Sequence, residues 1–427
     1  MKKHSVILSV ILCLSLTVSL TACSGKDSGN LPLKPVIVKA QDLVSDYTRS
    51  TQEEGIVTEE FTNAFSNFGL RLFNEVVKDS EGNKLISPLS AYVCLAMALN
   101  GADNMTKTQL ENVLGMKTDE LNRALYAYTS ALPDTEEVKV RLANSLWMRD
   151  TVELVVEKTY LQTLADWFSV QVYKEAFDDA TVDHINSWCA DHTDGMIDKI
   201  MDAPISANDM LYLINALVFD GKWSEGYEEY QISHEKFRNR GGTETEVSML
   251  NSTEDIYLSS EDTIGFMKAY KDEGYYFVGL LPKNENADIY EFASGLTGEK
   301  WQALFNTREY RSVMAKIPEF KVRDEKRLKN ALKKMGAVDM FDYAADFKPL
   351  GHTSDDLYVT EVNQFTYLEL DRNGTKAAAV TGITMANKAV ALPEDPIPEV
   401  FLDRPFVYMI VDSVSGLPLF IGITDSL

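Results

Sequence analysis

The chain has 427 residues, and its 65 acidic side chains outnumber its 41 basic ones, which gives a formal net charge of −24 at pH 7. So acidic a surface argues against nucleic acid and against an anionic membrane face as the main binding partner. Length alone suggests two or three domains. No linker rich in Pro, Gly or Ser and no repeat divides the body of the chain, however, so we predict one large folded unit.

The N-terminus has the parts of a secretory signal: the basic opening MKKH, an apolar run over residues 6–20, and then LTAC at residues 20–23. The run is too short to favour a membrane-spanning helix. The last four residues resemble the bacterial lipobox, whose cysteine becomes lipidated after cleavage. We therefore predict a signal peptide over residues 1–22 and lipidation of Cys23. An ordinary cleaved signal with a chance cysteine is the alternative.

The predicted lipid implies an extracytoplasmic protein anchored to a bacterial cell membrane or surface, with a released form left open. Membrane contact is then expected only through the lipid. Residues 23–57 are largely polar, and we predict a flexible tether there. The folded body is predicted over residues 58–427, and the cleaved chain has 405 residues and a net charge of −26.

The body begins with helical patterns and continues with strand patterns. Apolar residues recur at helical spacing from about residue 58 to 220, and Ser87-Pro88 is a typical helix start. A second helix is predicted over 182–193, with Gly195 as its stop signal. Runs rich in β-branched and aromatic residues predict strands over 211–219, 276–281, 312–317, 362–370, 406–411 and 419–424. Helices first and strands later, without regular βαβ alternation, predict an α+β fold.

The cysteines, histidines and short motifs of the sequence do not indicate a catalytic site. Cys94 and Cys189 lie in apolar surroundings and are interpreted as small buried hydrophobes, with no pattern that supports a disulfide. His184 and His192 lie two turns apart on one predicted helix. Two solvent-facing histidines are the simpler interpretation than a metal site. The chain has no nucleophile elbow, zinc-protease motif, P-loop or dinucleotide fingerprint.

Several separate motifs resemble one family. The segment NKLISPLSAYVCLAMALNGADNMTKTQL (83–110) is similar to the second helix of serpins, which opens N-x-x-x-S-P-x-S and ends in a Gly-Ala turn. The likeness continues, in order, through VRLANSLWM (140–148), LINALVFDGKW (213–223), IPEFKV (317–322), LKKMGAVDMF (332–341) and DRPFVYMIVDSVSGLPLFIG (403–422). It implies a serpin fold with three β-sheets, eight or nine helices and an exposed reactive-centre loop. It also implies a monomer that inhibits without a cofactor or metal.

In serpin inhibitors a protease cuts the loop, which then inserts into the main sheet and carries the acylated protease with it. The hinge is expected at Gly374, Thr375, Ala377, Ala378, Ala379 and Thr381. A strand alternates its faces. One face starts with Thr375, Ala377, Ala379 and Thr381, which are small and uncharged, whereas Lys376 and Lys388 both fall on the other face. Proline is absent from 375 to 392, so insertion is permitted. A flexible Ala/Thr loop with accidental charge placement is the alternative.

Serpin inhibitors usually place the scissile residue fourteen positions beyond the hinge glycine. This count predicts the bond Lys388–Ala389, and lysine suits the pocket of a trypsin-like serine protease. A slipped register would instead give Met385–Ala386, which suits an elastase-like protease. The stretch from Ala389 to Arg404 is longer than is usual in the family.

Beneath the sheet, serpins build a polar cluster that lets the strands part. Ser87, Ser90 and Asn215 match it, and Gln364 stands where the family usually has histidine. Arg372 stands where the family commonly has glutamate, so a salt link near the hinge is expected to be absent or reversed. The region after Met116 lacks a basic patch, and no heparin-like activator is expected.

The leading hypothesis is therefore a suicide-substrate inhibitor of trypsin-like serine proteases, and no enzyme. Inhibition of elastase-like or papain-like cysteine proteases stays open. A non-inhibitory serpin that acts as a binding or scaffold protein is the main rival.

Overall fold

The computed structural model describes residues 40–427 apart from 51–54, 80, 151–153, 198, 202–203, 208, 354–356 and 376–395. The chain divides into two compact units, Met1–Ile37 and Val38–Leu427, and the described residues all belong to the second. No helix within these described residues is long and apolar enough to cross a membrane. The predicted signal peptide, residues 1–22, and Cys23 lie outside the described residues.

The described residues form nine α-helices. In chain order they are α1 (Glu59–Asp79), α2 (Pro88–Asn100), α3 (Asn104–Leu114), α4 (Thr118–Ser130), α5 (Lys158–Trp167), α6 (Asp179–His192), α7 (Ile289–Gly295), α8 (Gly298–Asn306) and α9 (Lys329–Met335). Short 3₁₀ turns span Glu229–Gln231, Lys271–Glu273 and Asp339–Phe341.

The same residues form seventeen strands. They are β1 (Lys84–Ile86), β2 (Val138–Arg149), β3 (Val155–Val156), β4 (Val170–Glu175), β5 (Leu211–Lys222), β6 (Ile232–Arg238), β7 (Glu244–Ser259), β8 (Thr263–Ala269), β9 (Tyr275–Pro282), β10 (Glu309–Pro318), β11 (Phe320–Arg327), β12 (Gly351–His352), β13 (Glu361–Asp371), β14 (Gly374–Thr375), β15 (Glu399–Phe401), β16 (Phe406–Asp412) and β17 (Pro418–Thr424).

The strands of the described residues form three sheets. One sheet has the order β11-β13-β14-β5-β2-β4, and we call it the main sheet. A larger sheet runs β1-β17-β16-β9-β8-β7-β10-β15, with β6 paired to β7, and β12 pairs with β3 alone. The predicted α+β fold with three sheets and eight or nine helices is confirmed.

Helix α2 lies in the core because it is apolar on all sides. The Ser87 hydroxyl caps it by accepting from the Ser90 amide, and Pro88 occupies the first turn, as predicted. The helix contacts α1, β5 and β17 and so supports one face of the main sheet. A second apolar cluster lies on the opposite face, where Ile185, Trp188 and Cys189 of α6 pack against Ile214 and Phe365.

The interpretation of residues 58–220 as mainly helical is wrong for β2 and β4. In β2 the residues from Ala143 to Met148 are all buried, because the strand lies inside the sheet with helices on both faces. A strand buried on both faces loses the alternation that identifies strands in a sequence. Helix α6 also begins earlier than predicted, since the Asp178 side chain accepts from the Thr181 amide.

Part of the predicted tether packs on the body of the molecule. The Leu43 amide donates to the Val172 carbonyl at 2.7 Å, and Val44 is buried. The Asp42 carboxylate accepts from the amides of Val44 and Val172 at 3.0 and 2.9 Å. Residues 40–50 therefore cover the edge strand β4 of the main sheet, and the folded body starts before residue 58.

Candidate functional site

The hinge residues Gly374 and Thr375 form strand β14 inside the main sheet. This strand lies between β13 and β5 and runs antiparallel to both. Thr375 is level with Leu370 of β13 and with Gly221 of β5. The first two residues of the loop are thus already part of the sheet.

Beyond the hinge, the same two strands bond directly to each other. β13 and β5 are parallel there, with residues 361–365 level with residues 212–216. The main sheet is therefore parted at one end, where the hinge enters, and closed at the other. Further insertion must break these direct contacts as it makes new ones.

Gly374 fits because it has no side chain. A Cβ atom at this position would lie 2.1 Å from the Gly221 carbonyl oxygen and 2.8 Å from the Lys222 Cα atom. Both of these are backbone atoms of β5, which cannot move aside as a side chain can. The close approach of two backbones accounts for glycine at the hinge.

Thr375 is 1% exposed and meets an aromatic pair. Its hydroxyl lies 2.5 Å from the Tyr270 hydroxyl, and either group can donate. Tyr270 stacks on Trp223 with ring centroids 4.5 Å apart, and burial raises the pKa of Tyr270. The phenol therefore stays protonated and can hold the threonine hydroxyl by a hydrogen bond.

The turn before the hinge is held from both sides. The Trp223 indole donates to the Asp371 carbonyl at 2.9 Å, and the Trp223 amide donates to the Asn373 carbonyl at 2.9 Å. Within the turn, the Asp371 carboxylate accepts from the amides of Asn373 and Gly374 at 2.7 and 3.2 Å. An aspartate that bonds the amides two and three residues on stabilises a tight turn.

A buried ion pair lies under this aromatic pair. The Lys268 ammonium is 3.0 Å from the Glu254 carboxylate and 4.5 Å from the centre of the Tyr227 ring. Burial is the largest single effect and lowers the pKa of Lys268, but Glu254 and Tyr227 together outweigh it through their charges and hydrogen bonds, and the pKa is raised. The lysine stays charged, and breaking such a buried pair is strongly destabilising.

Where the sheet is closed, a row of polar side chains crosses it. Asn144, Asn215 and Gln364 are level on β2, β5 and β13. Gln364 accepts from the Ser87 amide at 2.9 Å and donates to the Ser87 carbonyl at 2.7 Å, so it ties β13 to the start of α2. The side-chain NH₂ group of Asn215 donates to the side-chain carbonyl oxygen of Asn144.

This polar cluster is not fully satisfied. The side-chain carbonyl oxygen of Asn215 and the Ser90 hydroxyl are buried without a hydrogen-bond partner. Such groups are costly in a protein interior. The cluster therefore contains unpaired polar atoms near the level where β13 and β5 bond directly to each other.

Comparison with known proteins decides the family. A family model described as serpin (serine protease inhibitor) matches residues 63–425. The chain belongs to the serpin family. Serpins are generally protease inhibitors rather than enzymes, and they act on target proteases.

Serpins of several sources are similar to this chain. It is 28% identical to Iripin-2 of Ixodes ricinus over 86% of this chain and 93% of the relative, and 27% identical to human glia-derived nexin over 84% and 91%. Among solved structures, the thermophilic serpin tengpin in its native state superposes with a TM-score of 0.86 at 37% identity, covering 91% of this chain and all of that one. Its latent state gives 0.77 at 37% identity over 88% of this chain and all of that one.

An ion pair lies beside the hinge of this serpin. The Arg372 guanidinium lies 2.6 Å from Glu229 and 3.9 Å from Glu319, and the Arg372 amide donates to Glu319 at 3.1 Å. The hydrogen bond with Glu229 chiefly raises the pKa of Arg372. The cation thus stands on the loop side, where the family commonly has glutamate.

Only part of the predicted site lies within the described residues. The hinge residues Gly374 and Thr375 lie in the main sheet, and Ser87, Ser90, Asn215 and Gln364 lie around the start of α2. The remaining predicted residues lie outside the described residues: Ala377, Ala378, Ala379, Thr381, Met385, Ala386, Lys388 and Ala389.

The histidines on α6 take ordinary structural contacts. The His192 ring stacks on Trp188, and its Nδ1 atom is 2.7 Å from the Trp188 carbonyl oxygen. His184 lies 3.5 Å from Glu175. The described part of the chain contains no group of three or more His, Cys, Asp or Glu residues arranged to hold a metal ion. Cys94 and Cys189 are both buried.

Neither Tyr270 nor the Lys268–Glu254 pair was predicted from the sequence. The sequence does contain one signal for this region, since Asp371-Arg372-Asn373-Gly374 is a typical turn sequence. Trp223 ends the motif DGKW, which was part of the family resemblance. The sequence did not predict a separate role for Trp223.

Proposed function

We propose that this serpin is a suicide-substrate inhibitor of trypsin-like serine proteases and is cut between Lys388 and Ala389. The observation that carries the proposal is the hinge strand β14, which is bonded on both sides by strands of the main sheet. A loop that begins as a central strand can continue as one. The fourteen residues from Thr375 to Lys388 would span about 45 Å as an inserted strand.

The chemistry needs no cofactor. The hydroxyl oxygen of the protease's serine attacks the Lys388 carbonyl carbon, an ester forms, and the bond to the Ala389 nitrogen breaks. The serine's proton passes through the protease's own base to the new amine of Ala389. The freed end of the loop then enters the sheet and carries the ester-linked protease away from the point of attack.

The register of β14 supports insertion of the small, uncharged face. Thr375 points to the buried side, so Ala377, Ala379 and Thr381 follow on that side when the strand continues. Six residues on, Thr381 would come level with Asn215 and Gln364 in such a strand. There its hydroxyl would meet the unpaired Asn215 carbonyl oxygen, and insertion would satisfy a group that is unsatisfied before it.

The test is to mix the purified protein with trypsin and separate the products on a denaturing gel. A band of the summed mass supports the proposal. Loop cleavage without such a band refutes inhibition of trypsin and favours a non-inhibitory binding protein. Pancreatic elastase and papain are tested in parallel, and a covalent band with only one of them would reassign the target class.

Replacing the scissile lysine gives a sharper prediction. Lys388→Ala removes the ammonium that would pair with the carboxylate of a trypsin-like pocket, and we expect the rate of complex formation with trypsin to fall by about 10²-fold or more. Met385→Ala is the matched control and should leave that rate unchanged. If Met385→Ala instead abolishes the complex and Lys388→Ala does not, the bond is Met385–Ala386.

We further propose that Cys23 carries the lipid that anchors the protein outside the cytoplasm. The support is the sequence LTAC after a short apolar run. Cells expressing the full chain are labelled with radioactive palmitate, and the wild-type protein should take up label and sediment with membranes. Cys23→Ser should be unlabelled and soluble, and a labelled variant would refute the assignment.

A further inference from the structure

The turn before the hinge ends in an asparagine–glycine pair, Asn373-Gly374. Asparagine followed by glycine is the sequence most prone to deamidation, because no side chain hinders the glycine amide nitrogen from attacking the side-chain carbonyl carbon of the asparagine. A five-membered succinimide ring forms in this attack, and ammonia leaves. A folded backbone generally hinders ring formation, so the groups around the pair decide whether it reacts.

One carboxylate contacts both nitrogen atoms that take part in this reaction. The Gly374 amide, which is the attacking group, donates to Asp371 Oδ1 at 3.2 Å. The side-chain NH₂ group of Asn373, which is the leaving group, donates to Asp371 Oδ2 at 3.4 Å. The same carboxylate accepts from the main-chain amide of Asn373 at 2.7 Å, which holds it in place. A base within hydrogen-bond reach of the proton that it removes is the first requirement of general base catalysis.

The backbone of the turn is fixed around this carboxylate. The amide and the indole of Trp223 donate to the carbonyls of Asn373 and Asp371, at 2.9 Å each. The Tyr227 amide donates to the Arg372 carbonyl at 3.0 Å. Asn373 is half-buried, so water still reaches it. Groups that are held side by side in this way react faster than groups that must first find each other.

The chain has a second asparagine–glycine pair with different surroundings, Asn100-Gly101 at the end of α2. The side-chain NH₂ group of Asn100 donates to the Ala96 carbonyl at 2.8 Å and to the Asn122 side chain at 2.9 Å. The Gly101 amide donates to the Ala98 carbonyl at 3.0 Å. Carbonyl and amide groups do not take up and pass on a proton as a carboxylate does. This pair is therefore an internal control for the pair at the hinge.

We propose that Asn373-Gly374 is a site of self-deamidation and that Asp371 is its general base. Asp371 Oδ1 takes the proton from the Gly374 nitrogen as this nitrogen bonds to the side-chain carbonyl carbon of Asn373. A proton passes from Oδ2 to the leaving nitrogen, the old carbon–nitrogen bond breaks, and ammonia departs. Water then opens the ring at either of its carbonyls and gives aspartate or isoaspartate. The reaction needs no reactant other than water.

Either product alters the hinge. The aspartyl product places a second carboxylate beside Asp371, and like charges repel each other. In the isoaspartyl product the main chain runs through the former side chain, and the carbonyl that accepts from Trp223 becomes part of a free carboxylate. The lengthened chain cannot keep both that contact and the pairing of Gly374 with Lys222. We expect loop insertion to fail in such molecules; this consequence rests on the proposed function, whereas the deamidation itself does not.

The deamidation rates of both pairs are measured in one protein. Purified wild type is incubated at physiological temperature and pH, and samples are unfolded and cut with a lysine-specific protease, which separates the pairs on peptides 85–107 and 349–376. Mass spectrometry gives the deamidated fraction of each. We expect Asn373 to convert at least about tenfold faster than Asn100, and faster in the folded chain than in guanidinium chloride. Equal rates at the two pairs, or a slower Asn373 in the folded chain, would overturn the proposal.

The variant Asp371→Asn tests the base. We expect it to slow the conversion of Asn373 by about tenfold or more, because an amide of the same shape accepts the Gly374 hydrogen bond but does not take up the proton. Asp46→Asn, at an exposed position, is the matched control and should convert like the wild type. A turn that is merely loosened would convert faster, since a flexible chain reaches the ring geometry more readily. An unchanged or faster rate in Asp371→Asn therefore refutes the role of Asp371.

Trapping assays on fresh and aged protein connect the modification to the proposed function. The fraction of aged wild type that forms a covalent complex with trypsin should fall in step with the deamidated fraction at Asn373. Aged and fresh Asn373→Gln should trap equally, because the longer side chain closes a ring far more slowly. If fresh wild type traps no trypsin, that part of the proposed function fails, and the mass measurement still decides the modification. Deamidated molecules that trap as well as fresh ones would refute the effect on the hinge alone.

Discussion

At the scale of single residues, the hinge depends on the absence of a side chain at Gly374. Its backbone approaches Gly221 and Lys222 so closely that even a methyl group meets backbone atoms of β5. The neighbouring Thr375 is the first side chain that the sheet buries. Together they set the register of everything that follows in the loop.

Gly374→Ala should therefore displace β14. We expect the free energy of unfolding to fall by about 1–3 kcal/mol, because overpacking against fixed backbone cannot relax locally. Urea unfolding measures the effect. Gly274→Ala is the matched control, since a Cβ atom there has nothing within 4 Å. Equal urea midpoints for Gly374→Ala and Gly274→Ala would show that β14 tolerates a side chain.

Period-two alternation predicts which loop residues share a face, because that depends only on neighbours in the chain. It cannot predict the Tyr270 contact with Thr375, since 105 residues separate the two. Nor does the sequence mark Lys268 and Glu254 as a buried pair, since Glu254 lies in a strand that also carries exposed polar residues, and lysine is rarely buried. Such contacts depend on which strands become neighbours.

At the scale of elements, the segment over residues 40–50 closes an open edge of the main sheet. An uncovered edge strand exposes amides and carbonyls that can pair with other chains. Here the Leu43 amide bonds β4, and further on the Arg49 side chain donates to the Ala165 carbonyl at 3.0 Å, so the segment also touches α5. Its polar composition predicted a tether, because a chain that docks through its backbone leaves little apolar pattern in the sequence.

Asp42 holds this segment by accepting from two amides, Val44 and Val172. Asp42→Ala should lower the free energy of unfolding by about 1–2 kcal/mol, because both amides lose their acceptor. Asp46→Ala, at an exposed position of the same segment, is the control and should stay within about 0.5 kcal/mol of the wild type. Urea unfolding of both variants tests this, and equal losses would show that the segment contributes nothing through Asp42.

The neighbouring central strands β5 and β2 of the main sheet differ in how clearly the sequence marks them. β5 was predicted because its apolar run is almost unbroken and rich in β-branched residues. β2 was missed because Asn144 and Ser145 interrupt a similar run. These two polar residues are buried in the structure, at 2% and 0% exposure, and Asn144 belongs to the polar row that crosses the sheet. Buried polar residues in β2, one of which belongs to the polar row, are therefore the reason why the sequence pattern did not predict this strand.

At the scale of the whole molecule, the sequence motifs predicted the family that the family model confirms, and the structure adds how far the main sheet is parted. The motifs lie in α2, β2, β5, β11 and the closing strands, so they surround the main sheet without showing its hinge. The sequence could not reveal that Gly374 and Thr375 are already inserted. That depends on the balance between the direct contacts of β5 with β13 and those that each makes with the loop.

The partly parted main sheet affects the expected lifetime of the native state. Its first two loop residues are already bonded on both sides, so starting a new central strand requires no separate nucleus. What delays the rest is the set of five residue pairs that join β13 to β5 directly. We therefore expect a kinetic barrier to set the lifetime of the native fold. Heating scans of the uncut protein should therefore give an apparent Tm that rises with the scan rate.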